Sequence, residues 1–510
     1  MDFNLEPQNI GTSLTCLDSV SEQAVDLDLT LPDYCPDIEK ILKCTLTPQI
    51  FSRNLNGGQL VIDGASIVQI LYVDAVKKNI RCCEQTIPFS AAFNLKEPSE
   101  NYIILTDTKS EYINCRALSP RKLVLHGAFS LYAKVLSKKF EQIYSSSEDE
   151  SLEAKSEKIT CFELSSLCQE QFSVSEDISV ANKPNVEAIL NKKVAVNVTD
   201  TRTIPGKIMV NGEVNLKLLY LSNLENCDVN QLDYMLPFSQ VIDCESVNEE
   251  TINDITVQVL SFDVHLKSDM LSEAPVISLD VKLSASLVGY NKLEKEIITD
   301  AYSTKYLTEL DFVTPNLIES CNPLKETVME KSTLDLGDVK ITKVIDLYNE
   351  TCIVTPVVTE NGLTVTGKAN VCILAFNQED FPIYIERMME FEQLFALTED
   401  FNCVSNPSAS IKSLSYRLTD DDKIEVRCEV MLKLELKNNR LHTCVSKVFS
   451  PEDKEITPSE YALTLYYAQK GEKLWDIAKR YNTKLNLLTQ ENSLDTEVLE
   501  NPEMLLIPSV

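Results

Sequence analysis

The chain has 510 residues, 44% of them hydrophobic and 25% charged, with a net charge of −31 at pH 7. That length exceeds what a single hydrophobic core organises and implies several domains. The acidity excludes recognition of a phosphate backbone, which runs on Lys and Arg, and disfavours anionic membrane surfaces.

No apolar run approaches the ~18 residues of a membrane span. The start, Met1-Asp2-Phe3-Asn4-Leu5-Glu6, has no basic region followed by an apolar stretch, so no secretory signal is expected and the chain reads as cytoplasmic. The 16 cysteines include no C-x-x-C pair and are accompanied by three histidines. They read as reduced, buried thiols, with no bound zinc or other metal and no cofactor.

Along the chain the dominant feature is repetition. The block Asp63-Gly64-Ala65-Ser66-Ile67-Val68-Gln69-Ile70-Leu71-Tyr72 recurs from Asn211-Gly212 to Leu219-Tyr220, and again from Thr366-Gly367 to Leu374-Ala375-Phe376. A Pro-Phe pair follows the first two copies (Pro88-Phe89, Pro237-Phe238), and Glu390-Phe391 stands in its place in the third. Twenty-eight residues before each glycine a second block opens, at Pro36, Pro184 and Val339. Equal spacing in three copies marks tandem duplication.

Each copy predicts strands. Glu425 to Leu436 and Val281 to Leu287 alternate apolar and polar residues with period two, the pattern of an antiparallel sheet with one buried face. Turns are expected at Asn56-Gly57, Asn211-Gly212 and Asn361-Gly362, where positive φ is tolerated. Each copy is large enough to own a core and is expected to be a separate β-sandwich or barrel. The polar stretch 145–151 and the proline-flanked acidic stretch 450–459 read as solvated linkers.

The last fifty residues change character. An apolar strand ending at Ala468 meets Gly471, then a helix with Leu474, Ile477, Ala478 and Tyr481 on one stripe. A second amphipathic piece runs from Leu485 to Gln490, and a short strand, Leu505-Leu506-Ile507, closes at Pro508. This βααβ order resembles the LysM module, a binding unit rather than a catalytic one. In that family Tyr466, Ala468, Leu505 and Ile507 would face the core. Alternation then turns Leu463, Leu465, Tyr467, Met504 and Leu506 outward, onto a face that no helix covers. Trp475, the one tryptophan, lies off the buried stripe and is expected to be an exposed contact anchor. The glycan-binding loop pattern Gly-Asp-Thr-Leu is here Gly471-Glu472-Lys473-Leu474, so a protein partner is favoured, with peptidoglycan binding as the alternative reading.

No P-loop, G-x-S-x-G, H-E-x-x-H or G-x-G-x-x-G is present. His126, His265 and His442 sit in strand-like segments and read as structural, so an enzyme is not expected. Duplicated β-domains followed by a LysM-like module resemble the SPOCS-domain spore-coat proteins of endospore-forming Firmicutes, and the clostridial morphogenetic proteins in particular. The expected fold is mainly β: SPOCS-like repeats at 1–144, 157–305 and 306–447, then a LysM-like domain at 461–510. The resemblance implies a mother-cell protein recruited to the forespore surface. It would be a scaffold that bridges a coat-basement ATPase of the SpoIVA type to other coat proteins. The expected partner-binding residues are Trp475, Leu463, Leu465, Tyr467 and Leu506.

Overall fold

The computed structural model describes all residues except 98–100, 181–183, 226–227, 268–275, 338, 360–361, 398–400, 421, 452–453, 458–460 and 509–510. The chain is mainly β, and its first part folds as three sandwiches of one topology. The first uses β1 (Leu5–Thr30), β2 (Ile38–Asn56), β3 (Gln59–Asp74), β4 (Ile80–Asn94), β5 (Tyr102–Ser119) and β6 (Lys122–Ser147). Sheet β1-β6-β5 faces sheet β2-β3-β4, and their inner residues form one core.

The second sandwich uses β7 (Leu152–Ser179), β8 (Ala188–Ile204), β9 (Lys207–Asn223), β10 (Asp228–Asp243), β11 (Ile252–Lys267) and β12 (Val276–Ser303). Order β7-β12-β11 faces β8-β9-β10. A short strand, β13 (Glu309–Val313), then leads into the third. There β14 (Asn316–Asp335), β19 (Cys403–Asp420) and β20 (Lys423–Leu441) face β15 (Ile341–Tyr348), β16 (Cys352–Thr359), β17 (Gly362–Asn377) and β18 (Pro382–Phe395), and β21 (Cys444–Phe449) pairs with β13. In every copy the first strand pairs with the last. Period-two patterning decides the faces: on β20, Ile424, Val426, Cys428, Val430, Leu432, Leu434 and Leu436 are all buried.

The repeated glycine is explained by its cross-strand partner. Gly64 pairs with Phe89, Gly212 with Phe238 and Gly367 with Phe391. Each phenyl ring lies on the glycine backbone. A Cβ there would come within 2.6, 2.5 and 2.0 Å of ring carbon, respectively. Asn211-Gly212 is therefore not the expected turn; it lies inside β9, and the chain reverses at Gly206, which has φ +79°. Gly57 and Gly58 do form a turn. Asn361 lies outside the described residues.

The repeated Pro and Tyr form a second pair. The Tyr72 hydroxyl donates to the Pro36 carbonyl at 3.3 Å, and Tyr220 to Pro184 at 3.4 Å. The third copy has Val339 and Ala375 at these positions, so both members changed together.

The three sandwiches are not beads on a string. Leu71, Leu219 and Leu374, one from the same position of each copy, meet in one cluster with Leu42, Leu190 and Ile345. A second shared cluster takes Ile10 and Ile143 from the first sandwich, Cys161 and Ile297 from the second, and Leu317 and Cys444 from the third part of the chain. The copies thus close around a pseudo-threefold axis plugged by apolar side chains. Polar contacts fix each junction. Gln69 Nε2 donates to the Leu190 carbonyl at 3.0 Å and Gln231 Nε2 to the Ile345 carbonyl at 2.7 Å, while Lys43 pairs with Glu350 and Glu386.

Both expected linkers are built into this body. Strand β6 runs to Ser147 and β7 starts at Leu152. Between them Asp149 Oδ1 accepts from the Ser151 amide and hydroxyl at 2.8 and 2.6 Å. In the second stretch, Ile456 N donates to the Lys305 carbonyl at 2.8 Å, and Leu307 N to the Lys454 carbonyl at 3.0 Å.

Candidate protein-binding face

The chain ends in a βααβ unit of β22 (Leu463–Ala468), α1 (Leu474–Arg480), α2 (Leu485–Glu491) and β23 (Glu503–Pro508). Gly471, at φ +89°, turns β22 into α1. Leu474, Ile477 and Ala478 fill the core with Ala468, Leu488, Leu505 and Ile507. Tyr481 does not continue this stripe. It sits at the helix C-cap, where its ring lies 5.6 Å from that of Tyr466. Asn492 clasps the outer edge of β23, donating to the Leu506 carbonyl and accepting from its amide, both at 2.7 Å. Those groups need no further strand.

The two strands pair Leu465 with Leu506 and Tyr467 with Met504. Their side chains stand on the side away from both helices. Leu465 is 66% exposed and Tyr467 59%; Leu463 and Met504 are also exposed, and Leu506 is half-buried. Such alternation normally puts polar residues on the solvent side. Here the solvent side is apolar, a composition that marks interaction surfaces.

Trp475 stands elsewhere. It is 8% exposed, against the expectation of a free anchor. Its indole packs edge-on to Tyr302 at the end of β12, with ring centroids 5.1 Å apart. Its Nε1–H donates to Asp300 Oδ2 at 2.8 Å, Lys479 donates to Asp300 Oδ1 at 2.5 Å, and the Tyr302 hydroxyl donates to the Thr483 carbonyl at 2.7 Å. Burial pushes the Tyr302 phenol above its ordinary range. Trp475 is thus a contact residue, but the surface it meets belongs to the second sandwich of the same chain. The contact joins residues about 175 positions apart, so local patterning could not reveal Asp300 or Tyr302 as its partners.

The loop between β22 and α1 is also engaged. Glu472 accepts from the Gln469 amide at 2.8 Å and from the Tyr466 hydroxyl at 2.8 Å, and Arg480 donates to the same hydroxyl at 2.8 Å. The amide of Gln469 and the Tyr466 hydroxyl hold the Glu472 carboxyl below its ordinary value. Lys473, where the glycan-binding pattern has Thr, makes no side-chain cap to α1.

Elsewhere, Glu350, Cys372 and Glu386 bring ligand-type atoms within 4.8 Å of one another. The Lys43 ammonium pairs with both carboxylates, which makes the group part of the junction between the first and third sandwiches. His126 and His265 are exposed beside Asp26 and Asp263, and His442 pairs with Glu319. The expectation that every cysteine is reduced is corrected at one pair: Cys168 on β7 and Cys244 after β10 are disulfide-bonded across the second sandwich.

The SipL SPOCS-domain model matches residues 37–118 and 185–267. The chain is SipL-like, with tandem SPOCS domains. Each matched segment spans the inner three-stranded sheet of a sandwich and the strand after it, β2 to β5 and β8 to β11. The third sandwich repeats the topology outside the matched segments. The SPOCS match points to a coat-related sporulation protein. Neither a curated protein nor a solved structure matches the chain. Among the described residues no helix is long and apolar enough to cross a membrane.

Proposed function

We propose that this chain is a non-enzymatic scaffold of spore-coat assembly that bridges a coat-basement ATPase of the SpoIVA type to other coat proteins. In this reading the SPOCS body spans 1–144, 157–305 and 306–447, and residues 461–510 are a LysM-like domain that contacts the ATPase. The protein acts in the mother-cell cytoplasm and is recruited to the forespore surface. The observation that carries the reading is the exposed apolar face of Leu463, Leu465, Tyr467, Met504 and Leu506. Leaving it in water costs about 25 cal/mol per Å² of apolar area, which a protein partner recovers. Trp475 supports the contact indirectly, by fixing how this face is presented.

The test compares the full-length chain with one ending before residue 461. The full-length chain should co-purify with the coat ATPase and the shortened chain should not. Equal retention of both by the ATPase, or sedimentation of the full-length chain with purified peptidoglycan instead, would contradict the proposal.

A further inference from the structure

Each of the first two sandwiches seats one edge on the sandwich that follows. The edge is the second half of its second strand together with its penultimate strand, and the seat is the outer sheet of the next copy. In the first junction Arg53 on β2 donates to the Ser284 hydroxyl on β12 at 2.8 Å. Lys282 donates to the Phe51 carbonyl on β2, and Gln258 to the Thr106 carbonyl on β5, both at 2.8 Å. The second junction repeats the arrangement. Lys325 on β14 donates to the Val198 carbonyl on β8 at 3.2 Å, and Lys433 on β20 to the Ile255 carbonyl on β11 at 2.6 Å. The accepting positions correspond between copies. Ile50, beside Phe51, and Val198 pair with the repeated glycines, and Thr106 and Ile255 stand at the same distance before the bulges at Ser110 and Val259.

This series leaves one edge and one seat unused. On β16 of the third sandwich, Ile353 matches Gln49 and Pro356 matches Arg53, by their cross-strand positions relative to Gly367 and Gly64. Gln49 is 5% exposed and donates to the Phe262 carbonyl of the next sandwich at 3.1 Å, whereas Ile353 is 52% exposed. Val357 and Val358 are exposed as well, and so is the β19 stretch from Asn406 to Ser408. At the other end of the series no sandwich precedes the outer sheet β1-β6-β5. Counted from the bulge of the penultimate strand, its Tyr132 holds the position of Ser286 and Lys433. Ser286 is buried and Lys433 bonds the second sandwich, but Tyr132 is exposed beside its cross-strand partner Val20, which is exposed too. Within one chain the third sandwich meets the first near the axis, through Lys43. Among the described residues no hydrogen bond or ion pair joins β16 or β19 to β1, β5 or β6.

We propose that the β16–β19 edge of one chain seats on the β1-β6-β5 face of a second copy of the chain, continuing head to tail the junction that already joins its own sandwiches. The two surfaces match in chemistry. The edge brings Ile353, Val357 and Val358 to Val20 and Tyr132. Asp18 and Glu22 flank Val20 on the face, and Lys412 and Arg417 lie on β19; all four are exposed. Pro356 has no amide hydrogen to offer an added strand, so the contact runs through side chains, as both internal junctions do. A contact between two different patches is heterologous. It leaves one edge and one face free at the ends of every open oligomer, so the chains form strings or rings rather than an isologous pair.

The experiment is analytical ultracentrifugation of the full-length protein at increasing concentration. The unaltered chain should rise to at least twice the monomer mass. Val357→Glu sets a carboxylate against the acidic face, and Tyr132→Lys buries an unpaired ammonium in the seat. Each should stay monomeric, because each removes one of the two surfaces from every chain. Mixed together, the two variants should form a one-to-one dimer and nothing larger. Only the intact edge of Tyr132→Lys and the intact face of Val357→Glu can then meet. Leu465→Glu should associate as the unaltered chain does, which separates this contact from the β22–β23 face. The proposal is overturned if the unaltered chain stays monomeric throughout, the result expected if a different protein occupies the edge. It is also overturned if either single variant associates undiminished, if the mixture yields no dimer, or if Leu465→Glu abolishes association. Ile353→Glu and Val20→Lys replace any first variant whose thermal melt falls below that of the unaltered chain, and the same mixing outcomes decide.

Discussion

The indole N–H of Trp475 donates to the carboxylate of Asp300 at 2.8 Å, tying the first helix of the C-terminal unit to the last strand of the second sandwich. Lys479 reaches the same carboxylate, and Tyr302 closes over the indole edge. The unit is therefore held in one orientation on the SPOCS body, with its apolar strand face turned to solvent.

Trp475→Phe keeps an aromatic ring, smaller than the indole, and removes the bond to Asp300. It should cost about 1.5–3 kcal/mol, the range for a hydrogen bond to a charged group. Amide exchange in α1 should accelerate while β20 stays protected. Trp475→Glu should do more damage, because it places a second carboxylate against Asp300 in a buried contact. Unchanged exchange in α1 for both variants would show that the docking contact carries no stability.

The Gly–Phe pairs give a test of the SPOCS sandwiches. Gly64→Ala forces a methyl against the Phe89 ring and the Gln49 carbonyl. It should destabilise the protein by about 1–3 kcal/mol, the usual cost of overpacking. Gly212→Ala and Gly367→Ala should behave alike, whereas Gly57→Ala meets no atom and acts only through its φ of +57°. Denaturant melts of the four variants would check this ordering.

Tyr72→Phe removes the hydroxyl that bonds Pro36 and leaves the ring in place. The expected loss is about 0.5–1.5 kcal/mol. A chemical melt indistinguishable from that of the unaltered protein would mean that the Pro–Tyr pair is maintained for packing alone.

These pairs show what could be read from the chain itself. The spacing of Pro36, Gly64 and Tyr72 was visible because duplication printed it again in full at Pro184, Gly212 and Tyr220 and kept the glycine at Gly367, and the strands of β20 and β12 followed from the period-two alternation of apolar residues. Direction was legible on β22 and β23, where alternation alone separates Tyr466 from Leu465. What sequence could not give was assembly in space. Leu71, Leu219 and Leu374 look like ordinary core residues of three separate domains, yet they meet one another. Asn211-Gly212 misled because glycine serves two purposes, a turn and a bed for a phenyl ring. Trp475 was off the helix stripe, as expected of a contact residue, but nothing local could say that its partner was Asp300. The Cys168–Cys244 bridge joins residues 76 positions apart with no spacing motif to announce it.

Acid should loosen the C-terminal unit through Glu472. Its folded-state pKa is depressed by the Gln469 amide and the Tyr466 hydroxyl below the ordinary value of 4.5. The stabilisation is therefore fully present above that ordinary value and is lost as pH falls through the lower folded-state value. Glu472→Gln should flatten this part of the pH dependence, followed by hydrogen exchange in α1. An unchanged profile below the ordinary carboxylate range would assign the acid sensitivity to other groups.

The most direct test of the scaffold account is titration of purified coat ATPase with full-length protein carrying Leu465→Glu. The position is exposed, so thermal melting should shift little, with a stability change within about 0.5 kcal/mol. The account predicts that affinity for the ATPase falls at least tenfold, because the variant buries an unpaired carboxylate in an apolar contact. Binding as tight as that of the unaltered chain, at unchanged stability, would show that the β22–β23 face is not the partner surface.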